Sequence, residues 1–217
     1  MITSHPSSAD GLSATLSTYT ASTFQRPEPC AILCRNTAPL VAFAYGLLKQ
    51  DIPCTILGRD IGAQLAAVVK KQRATSLEDL REKLGVWSAR EAARAEAEGR
   101  SPERIADQYS CLMFFIRSLD EDSRSIASLL AKIDLMFTDT ATARDRVVLS
   151  TVHKAKGLEY HTVFILDRGK YMPSRYAKLP WQQEQEKNLI YVAITRAQHT
   201  LYYITSDCWS DKETTAA

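Results

Sequence analysis

Two stretches of the chain hold the side chains best suited to chemistry. Residues 150–160 read Ser-Thr-Val-His-Lys-Ala-Lys-Gly-Leu-Glu-Tyr, and residues 186–197 read Glu-Lys-Asn-Leu-Ile-Tyr-Val-Ala-Ile-Thr-Arg-Ala. In the first, Thr151, His153, Lys154 and Lys156 follow the apolar run Val147–Leu149 and lead to Gly157 and Glu159. Hydroxyls, ammonium groups and exposed backbone amides at the carboxyl end of a parallel strand suit phosphate oxygens. The Glu159 carboxylate cannot bind phosphate, but it can accept a bond from a sugar hydroxyl. In the second, Leu189, Val192 and Ala193 share one helical face, with Ile190 and Ile194 beside it. Burying that face aims Arg196 off the last turn, where a planar guanidinium suits charge developing on a phosphoryl group. Each stretch also has a plainer reading. The first is then a solvated loop with surface lysines, and Arg196 merely complements a helix dipole.

Groups like these work only if rigid elements hold them. Cys30–Cys34 reads as a strand, and Leu40, Val41, Ala44, Leu47 and Leu48 recur at helical spacing after it, with Asn36 or Thr37 as the cap. Pro53 ends that unit, and Cys54–Leu57 is a second strand before Gly58. Strand–helix–strand favours a parallel sheet. Val147–Thr151 and Thr162–Leu166 continue the strands, residues 168–180 form a loop, Trp181–Arg196 is a helix and Leu201–Thr205 is the last strand.

Residues 61–137 are nearly all helix-forming. Thr75-x-x-Glu78 and Ser88-x-x-Glu91 look like capping boxes, and Ser101-Pro102-Glu103 like a helix start. Ala89–Arg100 is mostly polar, so we expect an exposed helix there. Leu112, Phe115, Ile116 and Leu119 make one apolar stripe, and Ile126, Leu129, Leu130, Ile133 and Met136 another. The expected architecture is an α/β domain over 29–60 and 145–207, interrupted by a small helical subdomain over 61–144. The alternative is that those helices belong to the main domain. Residues 1–28, rich in Ser, Thr, Ala and Pro, read as a flexible lead-in or a piece of something upstream, and 208–217 as a flexible tail.

Composition narrows the class without naming a partner. The 217 residues suffice for one sizeable core, with 45% hydrophobic and 24% charged residues and a formal charge of +2. So small a charge does not announce a nucleic-acid binder, and any basic surface must be local. The five cysteines, Cys30, Cys34, Cys54, Cys111 and Cys208, show no metal-ligand spacing, so no metal site is expected and they read as small core residues. Their odd number, with no signal-like start, points to a reducing cytosol. No apolar run is long enough to span a bilayer.

The pair of stretches resembles motifs V and VI of superfamily 1 helicases of the UvrD/Rep type, through T-x-H-x-A-K-G-L-E and Y-V-A-I-T-R-A. Ala31–Asn36, followed by Ile52-Pro53 and Gly58, is similar to the opening of that family's second RecA-like domain. The resemblance implies a RecA-like parallel sheet with an inserted helical subdomain. It implies that Arg196 reaches the γ-phosphate of ATP as an arginine finger, that Glu159 bonds the ribose, and that Gly157 allows close backbone approach. Tyr191 would pack near the nucleotide, although a core or surface tyrosine is equally compatible. Thr151, His153, Lys154 and Lys156 would lie along single-stranded or partially duplex DNA. Arg35 lies in a family segment but reads better as a structural salt bridge.

Equally informative is what the sequence lacks. There is no G-x-x-x-x-G-K-[ST] loop, no acidic pair ending an apolar strand before residue 147, and no N-Y-R-S-T-like segment. The resemblance therefore implies the C-terminal half of an ATP-dependent DNA helicase or translocase that moves 3′ to 5′. ATP with Mg²⁺ would be bound mainly by an N-terminal RecA-like domain, without which this chain is inactive. Two rivals stay open: a non-catalytic module that binds single-stranded nucleic acid or a helicase partner, and part of a helicase–nuclease subunit.

Overall fold

A computed structural model describes residues 12–15, 30–121, 124–138 and 146–206. Short apolar runs that are buried at every position form strands covered on both faces, which is the condition for a parallel sheet. β2 (Cys30–Cys34) and β5 (Val147–Thr151) meet it completely. With β1 (Leu12–Thr15), β3 (Cys54–Leu57), β4 (Phe137–Thr138), β6 (Tyr160–Leu166) and β7 (Ala197–Ile204) they make a seven-stranded sheet among the described residues. Its order is β1-β7-β6-β2-β5-β3-β4, and every pairing is parallel. β2 is central, with Ala31 opposite Val148 of β5 and Val163 of β6.

The two-residue alternation of a strand divides the core between two faces. Cys30, Ile32, Cys34, Leu149, Phe164 and Leu166 face one side. There they meet α1 (Thr37–Lys49), α2 (Arg59–Lys71), α3 (Leu77–Ala97), α4 (Glu103–Arg117) and α5 (Ile126–Met136). Ala31, Leu33, Val148, Val163 and Ile165 face the other side, against Leu189 and Ala193 of α7 (Pro180–Ile194). The short α6 (Arg168–Tyr171) sits between β6 and α7, within the expected loop. The result is a three-layer α/β/α unit, the RecA-like class that the sequence implied.

Several details differ from expectation. The helices of 61–144 have no core of their own: Leu65, Leu84, Leu112, Phe115 and Ile133 share one cluster with the sheet. The span is also not all-helical, because Phe137 and Thr138 pair with Ile56 and Leu57. Gly62 of α2 makes this possible, since a Cβ there would lie 3.1 Å from the Phe137 side chain. Leu12–Thr15, inside the expected flexible lead-in, pairs with Thr200–Tyr203 on the edge of β7. Four mostly small residues carry no readable periodicity of their own. The rest of 1–28, the tail 208–217 and Cys208 lie outside the described residues.

Helix starts also moved. The cap of α3 is Ser76, whose Oγ accepts from the Asp79 amide at 3.1 Å, while the Asp79 carboxylate accepts from the Thr75 amide at 2.8 Å. No helix begins at Ser88, because Leu80, Leu84, Trp87 and Ala95 keep one continuous helix on the core. Asn36 occupies the cap position of α1, yet its side chain makes no cap bond. Asp107 of α4 does so instead, accepting from the amides of Thr37 at 2.8 Å and Ala38 at 2.9 Å. Burial raises the Asp107 carboxyl above its ordinary range, and those two amides offset the rise only in part.

One ion-pair network closes the carboxyl edge of the sheet. Arg35, just past β2, donates to both carboxylate oxygens of Glu186 on α7, at 2.9 and 2.7 Å. Its Nη1 lies 2.7 Å from Glu103 at the start of α4. Ser174 links the two acids, its amide donating to Glu186 at 2.9 Å and its hydroxyl to Glu103 at 2.6 Å. Burial raises the Glu186 carboxyl, but Arg35 and the Ser174 amide outweigh it and hold the group below its usual value. A depressed carboxyl contributes stability above its unfolded pKa, about 4.3 for Glu, and loses it as pH falls through the folded value. Glu186→Gln should therefore lower stability by about 3 kcal/mol at pH 7, as for other broken buried pairs. It should also flatten the loss of stability below about pH 4.3. Urea melts of both proteins across that range check this; parallel pH profiles would contradict it.

Candidate functional site

The chain leaves β5 at the carboxyl edge and must re-enter β6 at the amino edge. It makes that crossing in residues 152–159, which are pinned by turns. Val152 donates its amide to the Cys34 carbonyl at 2.9 Å, extending the ladder by one step. Ala155 donates to the Thr151 carbonyl at 3.0 Å, Lys154 to Thr151 Oγ1 at 3.3 Å, and Leu158 to the Ala155 carbonyl at 3.1 Å. Val152 and Ala155 are fully buried in the α7-side cluster. Buried small residues between exposed polar ones explain the spacing: two anchors hold the turn, and His153, Lys154 and Lys156 remain outside.

These outward groups differ in character. Lys154 Nζ lies 2.6 Å from Asp60 in the first turn of α2, and that bond holds the Asp60 carboxyl below its usual value. Lys156 has no ion pair among the described residues. His153 faces the Arg35 network. Burial lowers its pKa, and Arg35 and Lys156 lower it further, against the opposing pull of Glu186 and Glu103. Thr151 is buried, and its hydroxyl serves the turn. Gly157 has φ +83°, in the left-handed region, but a Cβ there would meet nothing within 4 Å. Its backbone angle requires glycine, and its surroundings in this lobe are open.

Arg196 and Glu159 meet at the amino ends of β6 and β7, where the Tyr160 amide donates to the Arg196 carbonyl at 2.9 Å. The Arg196 guanidinium is folded back on its own lobe. Nε donates to the Val192 carbonyl at 3.1 Å, Nη1 to the Leu158 carbonyl at 3.0 Å and Nη2 to Thr195 Oγ1 at 3.1 Å. All three acceptors are neutral oxygens. Glu159 is exposed and accepts from Gln198 Nε2 at 3.3 Å. Tyr191 lies on α7, 49% exposed.

The proposed site residues thus fall into two groups joined by one crossing. Thr151, His153, Lys154 and Lys156 lie with the carboxyl edge, and Glu159 and Arg196 with the amino edge. Sequence reasoning missed Asp60 and Gln198. A first-turn acid after Gly58 hinted at the former, while Gln198 is invisible until β7 is registered on β6. Arg35 makes the salt bridge expected of it. Burial pushes the thiols of Cys34 and Cys54 up to about 12 and raises that of Cys111, so these cysteines are inert core residues. No group of three or more metal-ligating side chains exists among the described residues. No helix among them is long and apolar enough to cross a membrane.

Comparison with known proteins places this geometry. Residues 62–207 match the family model of the UvrD-like helicase C-terminal domain. The chain is 32% identical over 124 residues to the ATP-dependent DNA helicase PcrA of Bacillus subtilis, covering 52% of this chain and 17% of that protein. It is 36% identical over 115 residues to the probable DNA helicase II homolog of Mycoplasma capricolum, covering 48% of this chain and 16% of that protein. It is 36% identical over 97 residues to the ATP-dependent DNA helicase UvrD1 of Mycobacterium leprae, covering 41% and 12% respectively. The chain thus spans under a fifth of the length of each of these relatives. The family match covers more than half of the chain, from α2 through β7, and the chain belongs to the UvrD-like helicase C-terminal domain family.

Proposed function

We propose that this lobe is the second motor domain of an ATP-dependent DNA helicase or translocase moving 3′ to 5′. Arg196 serves it as the arginine finger, and Thr151, His153, Lys154 and Lys156 as a contact track for single-stranded or partially duplex DNA. Glu159 accepts from the ribose, and Tyr191 flanks the nucleotide. The observation that carries this reading is the resting pose of Arg196. A guanidinium held by three neutral oxygens, with no carboxylate partner among the described residues, exchanges them readily for a phosphoryl group, where charge assistance about doubles the strength of each bond. Nη1 bonds the carbonyl of Leu158, the residue that ends the lysine-bearing turn. Withdrawal of Arg196 toward phosphate therefore frees that turn, and nucleotide state is transmitted to the DNA track.

This lobe contributes no phosphate-cradling loop, and its described side chains offer no cage for the Mg²⁺ that accompanies ATP. Both belong to an N-terminal RecA-like partner lobe in this proposal, and the chain alone hydrolyses ATP negligibly. DNA-stimulated ATPase of the chain, measured with and without such a lobe, tests this directly. Turnover by the isolated chain would refute it. In the two-lobe protein, Arg196→Ala should reduce ATPase by about 10³-fold or more while single-strand affinity persists. Near-normal turnover would remove Arg196 from the reaction. Lys156→Ala should weaken single-strand binding evenly across sequences and lower the slope of log affinity against log salt by about 0.7. An unchanged slope would place the strand elsewhere.

A further inference from the structure

Two imidazoles meet on the sheet surface, and the function proposed above uses neither. His161 of β6 and His199 of β7 are stacked, with ring centres 4.5 Å apart and planes 27° from parallel. His161 is half-buried and His199 is exposed, so packing in the core does not account for the pair.

A β-bulge brings the two rings together. Tyr160 is registered on Ala197 and Thr162 on Thr200, so Gln198 and His199 together stand opposite His161. A bulge re-aims side chains that a regular ladder would direct elsewhere. Here the extra residue divides two tasks. Gln198 reaches back to Glu159, donating at 3.3 Å, and His199 covers the His161 ring. The ring nitrogens of His161 are also distinguished. Its Nδ1 lies 3.3 Å from the Oγ1 of Thr162, a residue only 1% exposed. With Nδ1–H donating to that hydroxyl, the lone pair sits on Nε2. A metal-ligating histidine divides its nitrogens in the same way, one on the ion and one held by a fixed acceptor.

We propose that His161 and His199 bind one divalent cation of the zinc, nickel and copper class. The ligands are Nε2 of His161 and a ring nitrogen of His199. Imidazole nitrogens about 2.1 Å from such an ion stand roughly 3.0 to 3.4 Å from each other. Rings centred 4.5 Å apart reach that spacing when the exposed His199 turns about its Cβ–Cγ bond. No set of three metal-ligating side chains forms among the described residues, so two imidazoles and water make up the coordination. Imidazole suits zinc, copper and nickel, whereas magnesium and calcium prefer oxygen ligands. The site is therefore separate from the Mg²⁺ that accompanies ATP. A bound ion ties β6 to β7 and braces the strands that follow Glu159 and Arg196.

The test titrates the 217-residue chain with zinc, nickel and magnesium chlorides by calorimetry. Zinc and nickel should bind at one ion per chain, and magnesium should not bind. His161→Ala and His199→Ala should each weaken zinc and nickel binding by about tenfold or more, the loss that removal of a ligand's supporting partner alone can bring. His199 is exposed, which keeps its variant independent of folding. Thermal melts give a second readout: zinc should raise Tm in the parent chain and leave it unmoved in both variants. His5 and Cys208 could also take a metal, and His5→Ala and Cys208→Ser should bind as the parent chain does. Full-strength binding in both His161→Ala and His199→Ala overturns the proposal. So does loss of binding in His5→Ala or Cys208→Ser, or the absence of any zinc or nickel uptake.

Discussion

Arg35 joins the two helical layers across the edge of the central strand. Glu103 belongs to α4 on one face of the sheet and Glu186 to α7 on the other, and a single guanidinium holds both. A fork with five donors can do this, whereas one ammonium could not satisfy a bidentate and a lateral acid in fixed directions. Ser174 completes the arrangement by bridging the same two carboxylates. With both layers fixed at that end, the β5–β6 crossing has a rigid wall to run along. Burial lowers the pKa of the neighbouring His153 imidazole and Arg35 adds to that, while Glu186 and Glu103 pull the other way.

The crossing joins the candidate residues at the two edges of the sheet. Val152 and Ala155 are plugs in the α7-side core, so the polar residues between them cannot drift. Its far end, Leu158, is held by the side chain of Arg196, and its near end by the Cys34 carbonyl at the tip of β2. Eight residues thus run between two fixed ends with an anchored middle.

Much of this was legible in the chain. Cys30–Cys34, Cys54–Leu57 and Val147–Thr151 stand where their apolar runs put them; β2 and β5 are buried throughout and β3 at Ile56 and Leu57, as strands of a covered parallel sheet should be. The strand Leu12–Thr15 and the pair Phe137–Thr138 were not legible, since their pairing is decided by the strand beside them. Capping motifs misled for a similar reason. Ser88 has the right neighbours to start a helix, but Trp87 and Ala95 hold the chain helical on both sides of it. The cap of α1 comes from Asp107, seventy residues away, and no local pattern could reveal it. In the site, the residue types and their grouping were readable. The split of the group between two sheet edges, and the inward pose of Arg196, depended on three-dimensional closure.

Among the described residues, both margins of the sheet are brief. β1 contributes four residues on one side and β4 only two on the other. Short outer strands offer few unpaired amides and carbonyls to a neighbouring molecule, so sheets from different copies have little to zip onto. Trimmed margins therefore disfavour edge-to-edge growth into fibres in concentrated solution.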